Sequence, residues 1–175
     1  MKRRIIAPAL LAAVALAAGA TAQAQDKAGL TVSSGAFASN GAIPAKYTCD
    51  GEGKSPPLTW SGAPAGTKSV AIVVDDPDAP KGTFVHWVMF DLPATTTSVG
   101  EGAPPAGAEQ GKNGMGKVGW TAPCPPSGTH HYHFKVYALD RSLSLSQPTE
   151  DDIDRAMRGH VLAQGELVGT YAKKK

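Results

Sequence analysis

The chain has 175 residues, of which 42% are hydrophobic, with 17 Lys and Arg against 15 Asp and Glu and only two cysteines. That length suits one domain with a sizeable core. The small positive excess sits in Lys2, Arg3 and Arg4; without them 14 basic residues face 15 acidic ones, which removes the electrostatic reason to expect a nucleic-acid partner.

Met1-Lys2-Arg3-Arg4, the apolar run from Ile5 to Ala20 and the small-x-small triplet Ala22-Gln23-Ala24 form the three parts of a Sec-type signal peptide. Cleavage is expected after Ala24, making residues 1–24 a leader and residues 25–175 a single domain, periplasmic or secreted. Pro8 interrupts an apolar run that already falls short of the ~20 residues needed to cross a bilayer, so no transmembrane segment is expected in the mature chain. Export places Cys49 and Cys124 in an oxidising compartment, where thiols tend to pair. A bridge would close a loop of about 75 residues and contribute roughly 4 kcal/mol in the chain-entropy model. The alternative is two buried free thiols.

Short strands punctuated by Gly and Pro follow. Leu30–Ser34 alternates like an edge strand, and Pro57–Ser61 places Leu58 and Trp60 on one side. Ser69–Val74 and Phe84–Phe90 are apolar on both faces, as strands buried between layers are. Pro93–Gly128 is rich in Gly, Pro and Ala and reads as a long functional or irregular segment. Within it, Gly111-Lys112-Asn113-Gly114-Met115-Gly116-Lys117-Val118 nearly spells a phosphate-cradling P-loop. Val118 stands where that loop needs Ser or Thr, and no strand-to-helix junction surrounds it, so a flexible surface loop is the expectation. His131–Leu139 and Leu167–Tyr171 are further strands. Thr149–Gln164 reads as a helix, with Thr149 as N-cap, Glu150, Asp151 and Asp152 at the positive end of its dipole, and Ile153, Met157, His160 and Val161 at helical spacing. The fold class is therefore mostly β, a sandwich with one peripheral C-terminal helix.

The residues able to carry chemistry lie at strand ends. Ser69–Val74 runs into Asp75-Asp76-Pro77-Asp78-Ala79-Pro80, where Asp favours the turn and two prolines stiffen it. His86 sits inside an apolar strand. In Gly128-Thr129-His130-His131-Tyr132-His133, alternation puts His130 and Tyr132 on the face of Phe134, Val136 and Ala138, toward the core, and turns His131 and His133 to solvent. His131 and His133 share a face, as a copper or zinc site would need, but no third ligand stands at a diagnostic spacing. Ser127 has no evident activating base and no G-x-S-x-G elbow, which leaves a hydrolase unsupported.

Taken in order, Asp76-Pro77-Asp78-Ala79-Pro80, Phe84-Val85-His86-Trp87 and Pro125-Pro126-x-Gly128-x-His130-x-Tyr132 resemble the phosphatidylethanolamine-binding protein family. The resemblance is nearer to its bacterial branch, described as Raf kinase inhibitor-like. Cys49-Asp50-Gly51-Glu52, Ser55-Pro56-Pro57-Leu58-Thr59-Trp60, Gly159-His160-Val161-Leu162-Ala163 and Glu166-Leu167-Val168-Gly169-Thr170-Tyr171 extend it over nearly all of the mature chain. In the family an arginine usually follows the pocket histidine, where this chain has His131, and a tyrosine commonly stands at Trp120.

The resemblance implies two antiparallel sheets in a Greek-key sandwich with a small pocket at one end. That pocket accepts phosphate, acetate or a phosphoethanolamine head group. Its lining would be Asp76, Asp78, His86, Pro125, Gly128, His130 and Tyr132. Imidazole N–H groups, the Tyr132 hydroxyl and amides of the Gly128 turn suit an oxyanion without any metal or cofactor. Asp76 and Asp78 suit orienting a histidine or meeting an ammonium group. The expected function is a binding protein for small anionic or phosphoryl ligands and not an enzyme. Kinase inhibition does not carry over by similarity alone, and a further reading is that the exposed surface inhibits another exported protein, such as a protease.

Overall fold

The computed structural model describes residues 29–173. The predicted signal peptide lies outside the described residues. The elements in chain order are β1 (Thr31–Ser33), β2 (Gly41–Ala42), a 3-10 turn (Ala45–Tyr47), β3 (Leu58–Ser61), β4 (Ser69–Asp76), β5 (Phe84–Pro93), β6 (Ser98–Val99), β7 (Glu109–Gln110), β8 (Thr129–Leu139), α1 (Glu150–Met157) and β9 (Val161–Ala172). They form a three-stranded sheet of order β1-β3-β6 and a six-stranded sheet of order β2-β9-β8-β4-β5-β7. All pairings between these strands are antiparallel except one: β2 runs parallel to β9, a departure from the expected all-antiparallel sheets.

Alternation explains how the central strands can be apolar on both faces. Val70, Ile72 and Val74 of β4 point between the two sheets, where they meet Leu58, Trp60 and Trp87. Their neighbours Ala71 and Val73 point the other way and pack with Ile153 and Met157 of α1. One strand thus feeds two cores, which is why β4 is buried along its whole length. Phe134, Val136 and Ala138 of β8 join the core between the sheets together with Tyr132, as the parity reading expects.

The predicted helix is cut in half. Thr149 caps it as expected, in a reciprocal capping box with Asp152. It ends at Met157, because Arg158 leaves helical geometry and Gly159 takes φ +79°, a left-handed conformation that suits glycine. Val161 onward then pairs with β8, Ala163 lying opposite Ala138. The helical spacing of His160 and Val161 is real in the sequence, but strand pairing along β8 claims Val161, and His160 sits in the turn, where its amide donates to the Met157 carbonyl.

The near P-loop segment is built around one buried side chain rather than left loose. Asn113 Nδ2 donates to the Gly119 carbonyl (3.0 Å) and to Thr121 Oγ1 (3.1 Å), and its Oδ1 accepts from the amides of Met115 (3.0 Å) and Lys117 (3.2 Å). This asparagine fixes the approach to Thr121, which matters for the site below. Cys49 and Cys124 are bridged, with Cα atoms 5.3 Å apart.

Candidate functional site

A cavity of about 380 Å³ opens where the ends of β4, β5 and β8 meet the 113–126 segment. Five of the expected residues line it: Asp76, His86, Pro125, His130 and Tyr132. Asp78 and Gly128 are not among its lining residues. Phe84, Met115, Thr121 and Ala122 are, and sequence reasoning did not select them. Phe84 carried a signal of its own, standing two residues before His86 at the mouth end of β5.

Each polar group is held by identifiable contacts. Asp76, buried at the end of β4, engages His130 through Oδ2 and Nδ1 at 2.7 Å, while its Oδ1 accepts the Asp78 amide at 2.9 Å. The carboxylate thereby fixes the His130 ring by accepting the hydrogen bond of its Nδ1–H, leaving Nε2 without a protein partner. Tyr132 is 1% exposed, and its hydroxyl also finds no protein partner. Burial, reinforced by the negative charge of Asp76, holds the Tyr132 phenol well above its ordinary value, so it stays protonated and able to donate. Its ring packs edge-on against His86 (centroids 5.2 Å apart) and stacks toward His130 (6.5 Å).

His86 reaches this group through a backbone irregularity. Val74 pairs with Trp87 and Asp75 with Val85, so His86 is the extra residue of a β-bulge in β5. Strict alternation would send His86 and Trp87 to opposite faces. The bulge lets Trp87 stay in the core while His86 contacts Tyr132. His86 Nδ1 donates to the Thr121 carbonyl at 2.7 Å, and the Thr121 amide donates back to the His86 carbonyl at 2.9 Å. Burial pushes the His86 imidazole below its ordinary value, outweighing the opposing pull of the Thr121 hydrogen bond and of Asp76 and Asp75.

Asp78 serves a different neighbour. Its Oδ2 accepts from both the amide (2.8 Å) and Nδ1 (2.7 Å) of His131, on the exposed side of the turn. The side-chain hydrogen bond, then the amide one, holds the Asp78 carboxyl below its usual range. Gly128, at φ +72°, makes the turn that leads Ser127 into β8 and delivers His130 to the cavity without lining it. His133 pairs with Glu166 at 2.7 Å, so the two co-facial histidines each hold a separate carboxylate. Among the described residues, no three His, Cys, Asp or Glu side chains converge as a metal site would require. Ser127 does not line the cavity.

A second concavity, of about 250 Å³, lies on the other part of the sheet and is lined by Lys135, Tyr137, Gln164, Gly165 and Glu166. Its charged groups are already paired, Lys135 with buried Asp75 and Glu166 with His133. It offers a ligand fewer unspent groups than the first cavity does.

A model of the family described as phosphatidylethanolamine-binding protein matches residues 33–172. The chain belongs to the phosphatidylethanolamine-binding protein family. Among members of known structure, one from Chlamydia trachomatis, described as a homolog of this family, superposes with a TM-score of 0.80 at 40% identity, covering 83% of this chain and 99% of that one. YbcL of E. coli, described as a new member of the mammalian family, gives 0.77 at 34% identity, covering 84% and 100%. A UPF0098 protein of Pyrococcus horikoshii is 44% identical over 98% of this chain and 91% of its own length. A UPF0098 protein of Methanothermobacter thermautotrophicus is 46% identical over 79% and 95%. The chain is thus a phosphatidylethanolamine-binding protein family member of the bacterial and archaeal kind, and its Asp76, bulged His86, His130 and Tyr132 meet at one cavity.

Proposed function

We propose that this family member is an exported binding protein that holds a small oxyanion, such as phosphate or the phosphoryl part of a head group, in the Asp76–His86–His130–Tyr132 cavity, and that it is not an enzyme. The observation that carries this reading is a buried phenol hydroxyl with no protein partner beside a carboxylate-anchored imidazole. An unpaired buried donor is costly unless a ligand completes it. Asp76 engages Nδ1 of His130 and so fixes the ring, which leaves Nε2 of that imidazole for a ligand. With Asp78 engaged by His131, the ammonium half of a zwitterion finds less support here than the anionic half.

Calorimetric titration with inorganic phosphate and with phosphoethanolamine tests the proposal. Tyr132→Phe is expected to lower affinity about tenfold, the value of one hydrogen bond to a charged acceptor, while thermal stability holds or rises. Binding should strengthen as the pH drops from about 8 to about 5.5 and imidazoles gain protons. A titration flat over that range, or wild-type affinity in Tyr132→Phe, overturns the assignment. An inhibitor-like contact with a partner protein is a second reading. It is favoured by Met115 (58% exposed) and Val118 (48%), exposed large apolar side chains on the segment that borders the cavity.

A further inference from the structure

The protonation pattern of the cavity limits the chemical form of what it can hold. Thr121 presents a carbonyl oxygen to His86 Nδ1 at 2.7 Å. A carbonyl cannot donate, so Nδ1 must carry the proton, and the neutral ring keeps a lone pair at Nε2. No protein group satisfies that nitrogen. Burial is the largest influence and outweighs the Thr121 hydrogen bond and then Asp76 and Asp75 on β4, which favour a charged ring, while His130 on β8 opposes one, so the ring is neutral in neutral solution. Tyr132, also on β8, stays protonated beside it. His86 therefore faces the cavity as an acceptor. A fully deprotonated or fully esterified oxyanion brings only lone pairs to it, and lone pair against lone pair in a buried site is repulsive.

We infer that the cavity selects an oxyanion that still carries an acidic hydroxyl, which donates to Nε2 of His86 while another of its oxygens accepts from the Tyr132 hydroxyl. This rests on the anion reading of the cavity and narrows its ligand class to hydrogen phosphate and to phosphomonoesters in their singly protonated form. Phosphodiesters, including the head group of an intact diacyl phospholipid, have no such hydroxyl and are disfavoured. His86 is then the specificity-determining residue, with Thr121 as the group that sets its tautomer.

The test is a calorimetric titration of the full chain at about pH 7 and constant ionic strength with three probes: inorganic phosphate, sulfate and dimethyl phosphate. Phosphate retains a P–OH there, while sulfate and dimethyl phosphate have none. Phosphate is expected to bind at least about tenfold tighter than either, since leaving a buried polar group unpaired costs that much or more. Equal binding of phosphate and sulfate overturns the inference alone, and failure of all three probes to bind overturns the anion reading and the inference together. His86→Leu should bring phosphate and sulfate to near equality. Should that variant fail to fold, ¹⁵N spectra of the histidine-labelled wild type decide independently. Nε2 of His86 must be unprotonated in the free protein and gain a hydrogen bond on adding phosphate; a protonated Nε2 in the free protein refutes the inference.

Discussion

Breaking the Cys49–Cys124 bridge should lower stability and loosen the cavity at once. The cysteines are 75 residues apart in sequence, and closing a loop of that length removes roughly 4 kcal/mol of chain entropy from the unfolded state. For a domain of this size each kcal/mol is worth about 3 °C, so reduction should lower the melting temperature by about 10–15 °C. The location adds a second consequence. Cys124 lines the cavity between Pro123 and Pro125, and the Cys49 amide donates to the Pro123 carbonyl at 3.0 Å, so the bridge and this hydrogen bond tether one cavity wall to the 45–51 segment. Calorimetric melts with and without reductant, repeated on Cys49→Ala/Cys124→Ala, measure the first effect, and phosphate titration of the same samples measures the second. A melting shift under about 3 °C in both the reduced and doubly substituted protein would refute the loop-entropy argument. An unchanged phosphate affinity would refute the tether.

Three further predictions follow from single side chains. Asn113→Ala removes four hydrogen bonds from the segment that leads to Thr121. It should cost about 2–3 kcal/mol in urea unfolding and weaken phosphate binding, because Thr121 positions His86. His86 titrates below its ordinary value of 6.5 when folded, so the unfolded chain binds its proton more readily. Its contribution to stability is complete above that value and is lost as the pH falls below it, and His86→Leu should flatten this acid limb of a urea-midpoint profile. Glu150 behaves oppositely. Burial first, then the charge of Asp75 and a hydrogen bond with it, push the Glu150 carboxyl up from 4.5 to about 7. Its contribution is present below the unfolded value and is lost as the pH rises through about 7, so Glu150→Gln should gain on wild type between about pH 5 and 8 in the same assay.

Much of the fold was legible because local rules and burial agree along long strands. The alternation in β8 placed His130 and Tyr132 with Phe134 and Val136, and all four are buried as that pattern requires. Thr149 announced its capping box through the acidic first turn. Where two signals competed, the sequence could not arbitrate. Val161 fits a helix by spacing and a strand by pairing, and the hydrogen-bonding edge of β8 settled it for the strand. Asp78 looked equivalent to Asp76 two residues earlier, yet the end of β4 turns Asp76 inward to His130 while Asp78 meets His131.

The sequence by itself determined the family, the mostly β class, the pairing partners available to the two cysteines and the inward face of the histidine–tyrosine strand, since each depends on residue order and short-range periodicity. Only the tertiary structure decided which groups share a cavity and in what protonation pattern. His86 is the telling case: its inward aim depends on one extra residue in the pairing of β5 with β4, and its tautomer on a carbonyl 35 positions along the chain. Register between strands and contacts across long loops are properties of the assembled sheet, and no local pattern encodes them.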